Sequence, residues 1–157
     1  MGKPSRDKGK RLEYSLRDHL REAGYKADRV PMSGAAQGFK GDIKFSKDGK
    51  TYLAELKGRK DEYKRIYALF DNLADKGEIT FTHRLATDRA PLLIHVADHV
   101  DKVLAGRSLV YQGHLQGDPT WGRTTKKVAG MLKLVKDCDI LVLKCDYKPF
   151  LFVRYYE

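Results

Sequence analysis

Cysteine is nearly absent. Cys138 and Cys145 are the only two in 157 residues and form no C-x-x-C pair, so neither a disulfide scaffold nor a thiolate zinc site is written into the chain. A reducing, cytoplasmic setting is the expectation. No apolar run approaches the roughly 18 residues of a membrane span, and no membrane partner is expected. The polar N-terminus lacks the apolar core of a signal peptide. Histidine is sparse and scattered, at 19, 83, 95, 99 and 114. His95 and His99 straddle a strand-to-helix junction without the Glu of an H-E-x-x-H helix, so they read as core or surface residues and not as zinc ligands. Acidic residues are also short in supply, with 21 Asp and Glu against 31 Lys and Arg. The resulting formal charge of +10 and pI near 9.6 favour a polyanionic partner such as nucleic acid over an acidic small molecule. What is present, 41% hydrophobic and 33% charged residues, describes one globular domain over 1–157 with an ordinary core.

Taken in order, Leu12, Leu16, Leu20 and Ala23 recur at helical spacing and predict a first helix from about Lys8, closed by Gly24 at the C′ position, with residues 1 to 7 frayed. Glu13 lies about 20° around that helix from Leu20, at the border of the buried stripe. It could lean over a sheet edge or pair with Arg17 one turn on. Tyr25 to Val30 predict a short strand ended by Pro31. Residues 32 to 41 hold three glycines and little bulk, a loop that could let a backbone approach a phosphate. Tyr63, Ile66, Tyr67, Phe70, Leu73 and Ala74 form the clearest helical stripe, closed by Gly77. Ile79 to Thr82 and Pro91 to Val96 predict strands, and Asp98 predicts an N-cap for a helix from His99 to Ala105 stopped by Gly106. Residues 107 to 122 predict no regular structure. A last helix from Thr124 or Thr125 to Lys136, with Val128, Met131, Leu132 and Val135 inward, precedes a second hairpin of Asp139 to Lys144 and Pro149 to Arg154.

The segment from Gly41 to Lys57 is where chemistry concentrates. Asp48-Gly49 between runs rich in β-branched and aromatic residues predicts a two-residue type I′ turn. That turn fixes the register: Lys47 faces Lys50, Ser46 faces Thr51, Phe45 faces Tyr52, Lys44 faces Leu53, Ile43 faces Ala54, and Asp42 faces Glu55. Alternation then puts Asp42, Glu55 and Lys57 on one face and Ile43, Phe45, Tyr52, Ala54 and Leu56 on the other. Carboxylates directly opposed, with Cβ atoms about 4.5 to 5.5 Å apart, repel. A hard divalent cation such as Mg²⁺ between them, keeping positions for water and phosphate oxygens, satisfies that geometry.

Helix with Glu, strand, Ser-Gly loop, strand with Asp, turn, strand with Glu-x-Lys: this order resembles the PD-(D/E)xK nuclease superfamily, and within it the archaeal-type Holliday junction resolvases. The matching residues are Glu13 in Gly9-Lys10-Arg11-Leu12-Glu13, Ser33-Gly34, Asp42, and Glu55-Leu56-Lys57 followed by basic residues. Lys40-Gly41 stands where a Pro often precedes the Asp. The likeness covers roughly the first 60 residues. It implies an α/β, restriction-endonuclease-like core with a central mixed sheet flanked by helices over about 8–105. Either helix two with the strands of 79–96 or the last helix with the C-terminal hairpin could complete that core; the first is preferred because it follows directly in sequence, and it leaves an extra C-terminal helix and hairpin over about 107–157. It further implies catalytic roles for Glu13, Ser33, Asp42, Glu55 and Lys57, and metal ligation by Asp42, Glu55, Glu13 and the backbone of Leu56. Mg²⁺, with Mn²⁺ able to substitute, is the implied cofactor. Lys8, Lys10, Arg11, Arg29, Lys40, Arg59 and Lys60 are the basic residues placed to meet DNA. The implied activity is phosphodiester hydrolysis in a four-way junction by a homodimer. The alternatives are another nuclease of the superfamily, for nicking, repair or restriction, and a non-catalytic DNA-binding module on the same fold.

Overall fold

A computed structural model describes residues 2–30, 41–59, 63–64, 66–67, 80–84, 91–92, 94–105, 109–113, 130–131 and 138–155. Helix α1 spans Gly2–Glu22. It starts earlier than the apolar stripe suggests. Pro4 falls in the first turn, where a missing N–H is no loss, so nothing stops the helix from extending upstream of Lys8. Leu16 and Leu20 are fully buried. The helix ends where expected: the Tyr25 N–H donates to the Leu20 carbonyl at 3.0 Å and the Gly24 N–H to that of Arg21 at 3.0 Å. With Gly24 at φ 94°, this is a Schellman cap.

The strands are β1 (Lys26–Arg29), β2 (Ile43–Lys47), β3 (Lys50–Arg59), β4 (Thr80–Arg84), β5 (Pro91–Leu92), β6 (Ile94–Ala97), β7 (Leu109–Gly113), β8 (Ile140–Cys145) and β9 (Leu151–Tyr155). A short helix, α2, spans Val100–Leu104 between β6 and β7. Among the described residues the strands form a nine-stranded sheet in the order β1-β2-β3-β8-β9-β6-β7-β4-β5. It is mixed: β3 runs parallel to β8 and β4 parallel to β7, and the remaining neighbours are antiparallel.

The β2–β3 hairpin has the expected register from Lys47↔Lys50 to Ile43↔Ala54. Asp48 at φ 53° and Gly49 at φ 81° give the two left-handed residues of a type I′ turn. The second hairpin also forms, as β8 and β9. Its position corrects one expectation. Not the strands of 79–96 but β8 completes the sheet beside β3, and the C-terminal hairpin is central instead of appended. The reason is compositional: Ile140-Leu141-Val142-Leu143 is a continuous apolar run buried on both faces, which a parallel central strand requires. Asp139 locks the junction, its N–H donating to the Leu53 carbonyl at 2.9 Å and its carboxylate accepting the Leu53 N–H at 2.8 Å.

Three smaller corrections concern 79 to 122. Pro91 to Val96, expected as one strand, is divided between β5 and β6. Asp98 does not cap α2: His99 occupies the cap position without a side-chain bond, and the Asp98 carboxylate takes the Lys102 ammonium at 3.0 Å. Residues 107 to 122, expected to lack structure, contain β7, built from Leu109-Val110-Tyr111 paired with β4 and β6. The loop of 32–40, most of helix two and of the last helix, and Gly106 lie outside the described residues.

On one face of the sheet, Leu16 and Leu20 of α1 and Val100 and Val103 of α2 pack with Ile43, Phe45, Ala54, Ile140, Val142 and Phe152. By alternation Leu141, Leu143, Leu151 and Val153 face the other way. Buried Tyr63, Ile66 and Tyr67 begin the cover there, the Tyr67 hydroxyl donating to the Pro149 carbonyl and accepting from the Cys145 N–H at 3.3 Å.

Candidate active site

The far end of the first hairpin and the N-terminal half of α1 enclose a groove of about 420 Å³ lined by Lys8, Gly9, Leu12, Glu13, Asp42, Glu55, Leu56, Lys57 and Gly58. Close approach of helix and strand is possible because β3 has Gly58 there. A Cβ at that position would stand 2.4 Å from the Leu12 side chain.

Asp42 is seated by backbone. The ladder stops at Ile43↔Ala54, so Asp42 and Glu55 do not form the regular strand pair expected. Instead Gly41 takes φ 77°, and the Asp42 N–H donates to the Ala54 carbonyl at 2.8 Å. The Asp42 carboxylate turns to accept the Leu56 N–H at 2.8 Å. It still lines the groove with Glu55 and Lys57.

Glu55 is half-buried in strand β3, and its Oε1 is 3.4 Å from the Lys57 ammonium. Burial, and then repulsion from Asp42, push its carboxyl above the ordinary range; Lys57 opposes the shift, and Glu13 adds to it. Burial and the neighbouring Asp42 therefore outweigh the Lys57 ammonium at Glu55.

Glu13 leans over the sheet edge and does not pair with Arg17. Its Oε2 accepts from Arg29 Nε at 2.8 Å and Nη2 at 2.7 Å. Arg17 turns instead to Asp18, at 2.9 Å, and lies 4.8 Å over the Tyr14 ring. The Arg29 guanidinium also lies 4.5 Å over that ring and donates to the Tyr14 hydroxyl at 3.0 Å. Arg29, grouped from sequence with the DNA contacts, is thus engaged inside the protein. Sixteen residues separate Glu13 and Arg29, and no periodicity announces such a pair.

Of the other basic residues, Lys8 lines the groove and is 3.5 Å from Asp146, while Lys10 and Arg11 are exposed on α1. Arg59 ends β3. Ser33, Lys40 and Lys60 lie outside the described residues. Among the described residues, no three His, Cys, Asp or Glu side chains close into a ligating cluster. Each carboxylate has a partner of its own: Glu13 meets Arg29, Asp42 the Leu56 N–H and Glu55 Lys57.

A Glu-bearing helix laid over a hairpin that brings Asp and Glu-x-Lys into one groove, on a mixed sheet, is the arrangement of the restriction-endonuclease-like fold of the PD-(D/E)xK superfamily. More narrowly, the family model for archaeal Holliday junction resolvase (Hjc) matches residues 4–103, and the chain belongs to that family. Over 87 residues it is 41% identical to Protein D14 of Escherichia phage T5, a match covering 51% of each chain, so it spans about half the length of that curated relative. No solved structure matches. No helix among the described residues is long and apolar enough to cross a membrane.

Proposed function

We propose that this chain is a Mg²⁺-dependent endodeoxyribonuclease that resolves four-way DNA junctions as a two-fold dimer in the cytoplasm. The observation that supports it most is the meeting of Glu13, Asp42, Glu55 and Lys57 in one groove. The donors fit a hard divalent ion, since they are oxygens only and Glu55 is repelled by Asp42 and Glu13 in a way that a cation relieves. Asp42, Glu55 and the Leu56 carbonyl would hold it, with Glu13 completing the shell or orienting a water. A bound ion of this kind supplies an acidified water and a polarised phosphoryl oxygen.

The protein's own groups do the rest. Lys57, beside Glu55, faces the phosphate and either stabilises charge growing on its oxygens or accepts the proton of the attacking water. Arg29 holds Glu13 at the rim. Ser33 would approach from the loop that precedes Asp42. Lys8, Lys10 and Arg11, with the formal charge of +10, track the phosphate backbone. Symmetric cutting of two strands needs paired sites, hence the dimer.

Purified protein is to be incubated with labelled four-way junctions, flaps and linear duplex in Mg²⁺, Mn²⁺ or EDTA. Junction cleavage that requires the ion and is lost in Asp42→Asn and Glu55→Gln is expected. Equal cutting of linear duplex would point to another nuclease of the superfamily. Salt-dependent binding without turnover in either metal would leave only a DNA-binding module and overturn the enzymatic reading.

A further inference from the structure

The turn between β8 and β9 carries a residue that its backbone disfavours. The Lys148 N–H donates to the Cys145 carbonyl at 3.2 Å, closing a tight turn through Asp146 and Tyr147. Tyr147 has φ 63°, and Asp146 is not among the positive-φ residues. Positive φ confined to the third residue is the type II arrangement, which takes Gly or Asn there because a Cβ is strained. Tyr147 is nonetheless in that place, and the residue is 102% exposed. It adds nothing to the core, so packing does not account for it.

The stem beneath the ring is firm. Cys145, Phe150 and Leu151 are buried, and the Tyr67 hydroxyl bridges the two sides of the loop at Cys145 and Pro149. The ring is therefore held outward from a fixed base. Its location is also defined: neighbouring Asp146 pairs with Lys8 at 3.5 Å, and Lys8 lines the groove of Asp42, Glu55 and Lys57. One ion pair separates the tip from the candidate active site. With Lys8, Lys144 and Lys148 against Asp146, the surroundings are net positive.

Resting on the junction-cutting function above, we infer that Tyr147 is a stacking platform for a nucleobase left unpaired or splayed at the DNA branch point. A nucleobase has the matching chemistry: a flat π-face delivered on a polyanion, taken up by an exposed aromatic at a basic tip without regard to sequence. Continuous duplex offers no free base face along its length, whereas a branch point does. Tyr147 thus discriminates branched from linear DNA and positions the strand beside the groove.

Tyr147→Gly separates this role from a structural one, because it removes the left-handed strain. The variant is expected to melt at the same temperature as the wild type or higher. Its affinity for a fluorescein-labelled four-way junction, measured by anisotropy in EDTA, falls about tenfold, and its affinity for linear duplex of equal length does not change. Tyr147→Phe keeps wild-type junction affinity. With 2-aminopurine at the branch point, the wild type and the Phe variant change the fluorescence, and the Gly variant does not. Unchanged junction affinity in Tyr147→Gly, or an equal loss for junction and duplex, overturns the inference. Tyr147-dependent junction binding by a protein that never cuts in Mg²⁺ would sink the nuclease proposal and leave the platform standing.

Discussion

Gly41→Ala tests how the groove is built, and its cost follows from two separable causes. Gly41 has φ 77°, where a residue with a Cβ is disfavoured by about 1–2 kcal/mol. The added Cβ would also lie 3.1 Å from the Ala54 carbonyl oxygen and 3.2 Å from the Cys138 sulfur. The carbonyl cannot swing aside, because it accepts the Asp42 N–H at 2.8 Å. Crowding of this kind adds on the order of 1 kcal/mol, for a total of about 2–3 kcal/mol. Gly49→Ala is the control: φ is 81° but nothing lies within 4 Å of its Cβ, so only the backbone strain applies. Urea unfolding at neutral pH should place Gly41→Ala about 1 kcal/mol below Gly49→Ala. Calorimetric titration with Mg²⁺ should show weakened binding only for Gly41→Ala, since relief of the crowding moves Asp42. Equal stability of the two variants together with wild-type Mg²⁺ binding by both would refute the claim that Gly41 seats the carboxylate.

Glu55→Gln should stabilise the metal-free protein at pH 7.5 by a few tenths to about 1 kcal/mol, as relief of a buried charge and of its repulsion from Asp42 predicts, while abolishing cleavage. Its folded carboxyl titrates above the unfolded value of 4.5, so stability falls as pH rises from 4.5 through the folded pKa, and the variant flattens that fall. Urea curves at pH 4.5 and 7.5 decide it; a less stable variant at both refutes the repulsion. His19 stacks against Phe152 and His99, and burial, then His99, lower its pKa from 6.5. The unfolded chain therefore binds more protons below pH 6.5, stability is lost as pH falls through that window, and His19→Gln should lose less of it between pH 7.5 and 5.5 in melting experiments. Tyr67→Phe removes the hydroxyl that holds Pro149 and Cys145, and should cost about 1–3 kcal/mol in urea unfolding.

The first hairpin was readable because its determinants are local. Asp48-Gly49 permits one turn, and the turn sets every partner up to Ala54. Legibility stopped one residue further on, where Gly41 leaves the strand conformation and replaces a ladder pair with side-chain-to-backbone bonding. Helix α1 was recognisable from Leu16 and Leu20, whereas its upstream turns lack an apolar stripe to mark them. The neighbour of β3 was not decided by the sequence, because proximity along the chain favours 79–96, while burial on both faces favours the Ile140–Leu143 run some eighty residues away. Long-range polar pairs such as Glu13–Arg29 and Lys8–Asp146 have no sequence signature at all.

Positions at the groove are preorganised, and charges are not. Backbone fixes where Asp42 and Glu55 stand, yet each acidic side chain rests on a partner supplied by the protein: a guanidinium at 2.7 Å, an amide N–H at 2.8 Å and an ammonium at 3.4 Å. On the proposed function, a divalent ion must compete with those partners, and the competition is unequal. The Leu56 N–H bond to Asp42 leaves the second carboxylate oxygen available, and the Glu55–Lys57 contact is long and partly exposed, worth at most about 1 kcal/mol. Glu13, held twice by Arg29 with both side chains partly buried, yields least. Asp42 and Glu55 should therefore take the ion first, with Glu13 joining only when a DNA phosphate draws the Arg29 guanidinium away. Metal affinity should then be modest for the free protein and rise on junction binding, and Glu13→Gln should erase that rise while leaving the metal affinity of the free protein close to wild type.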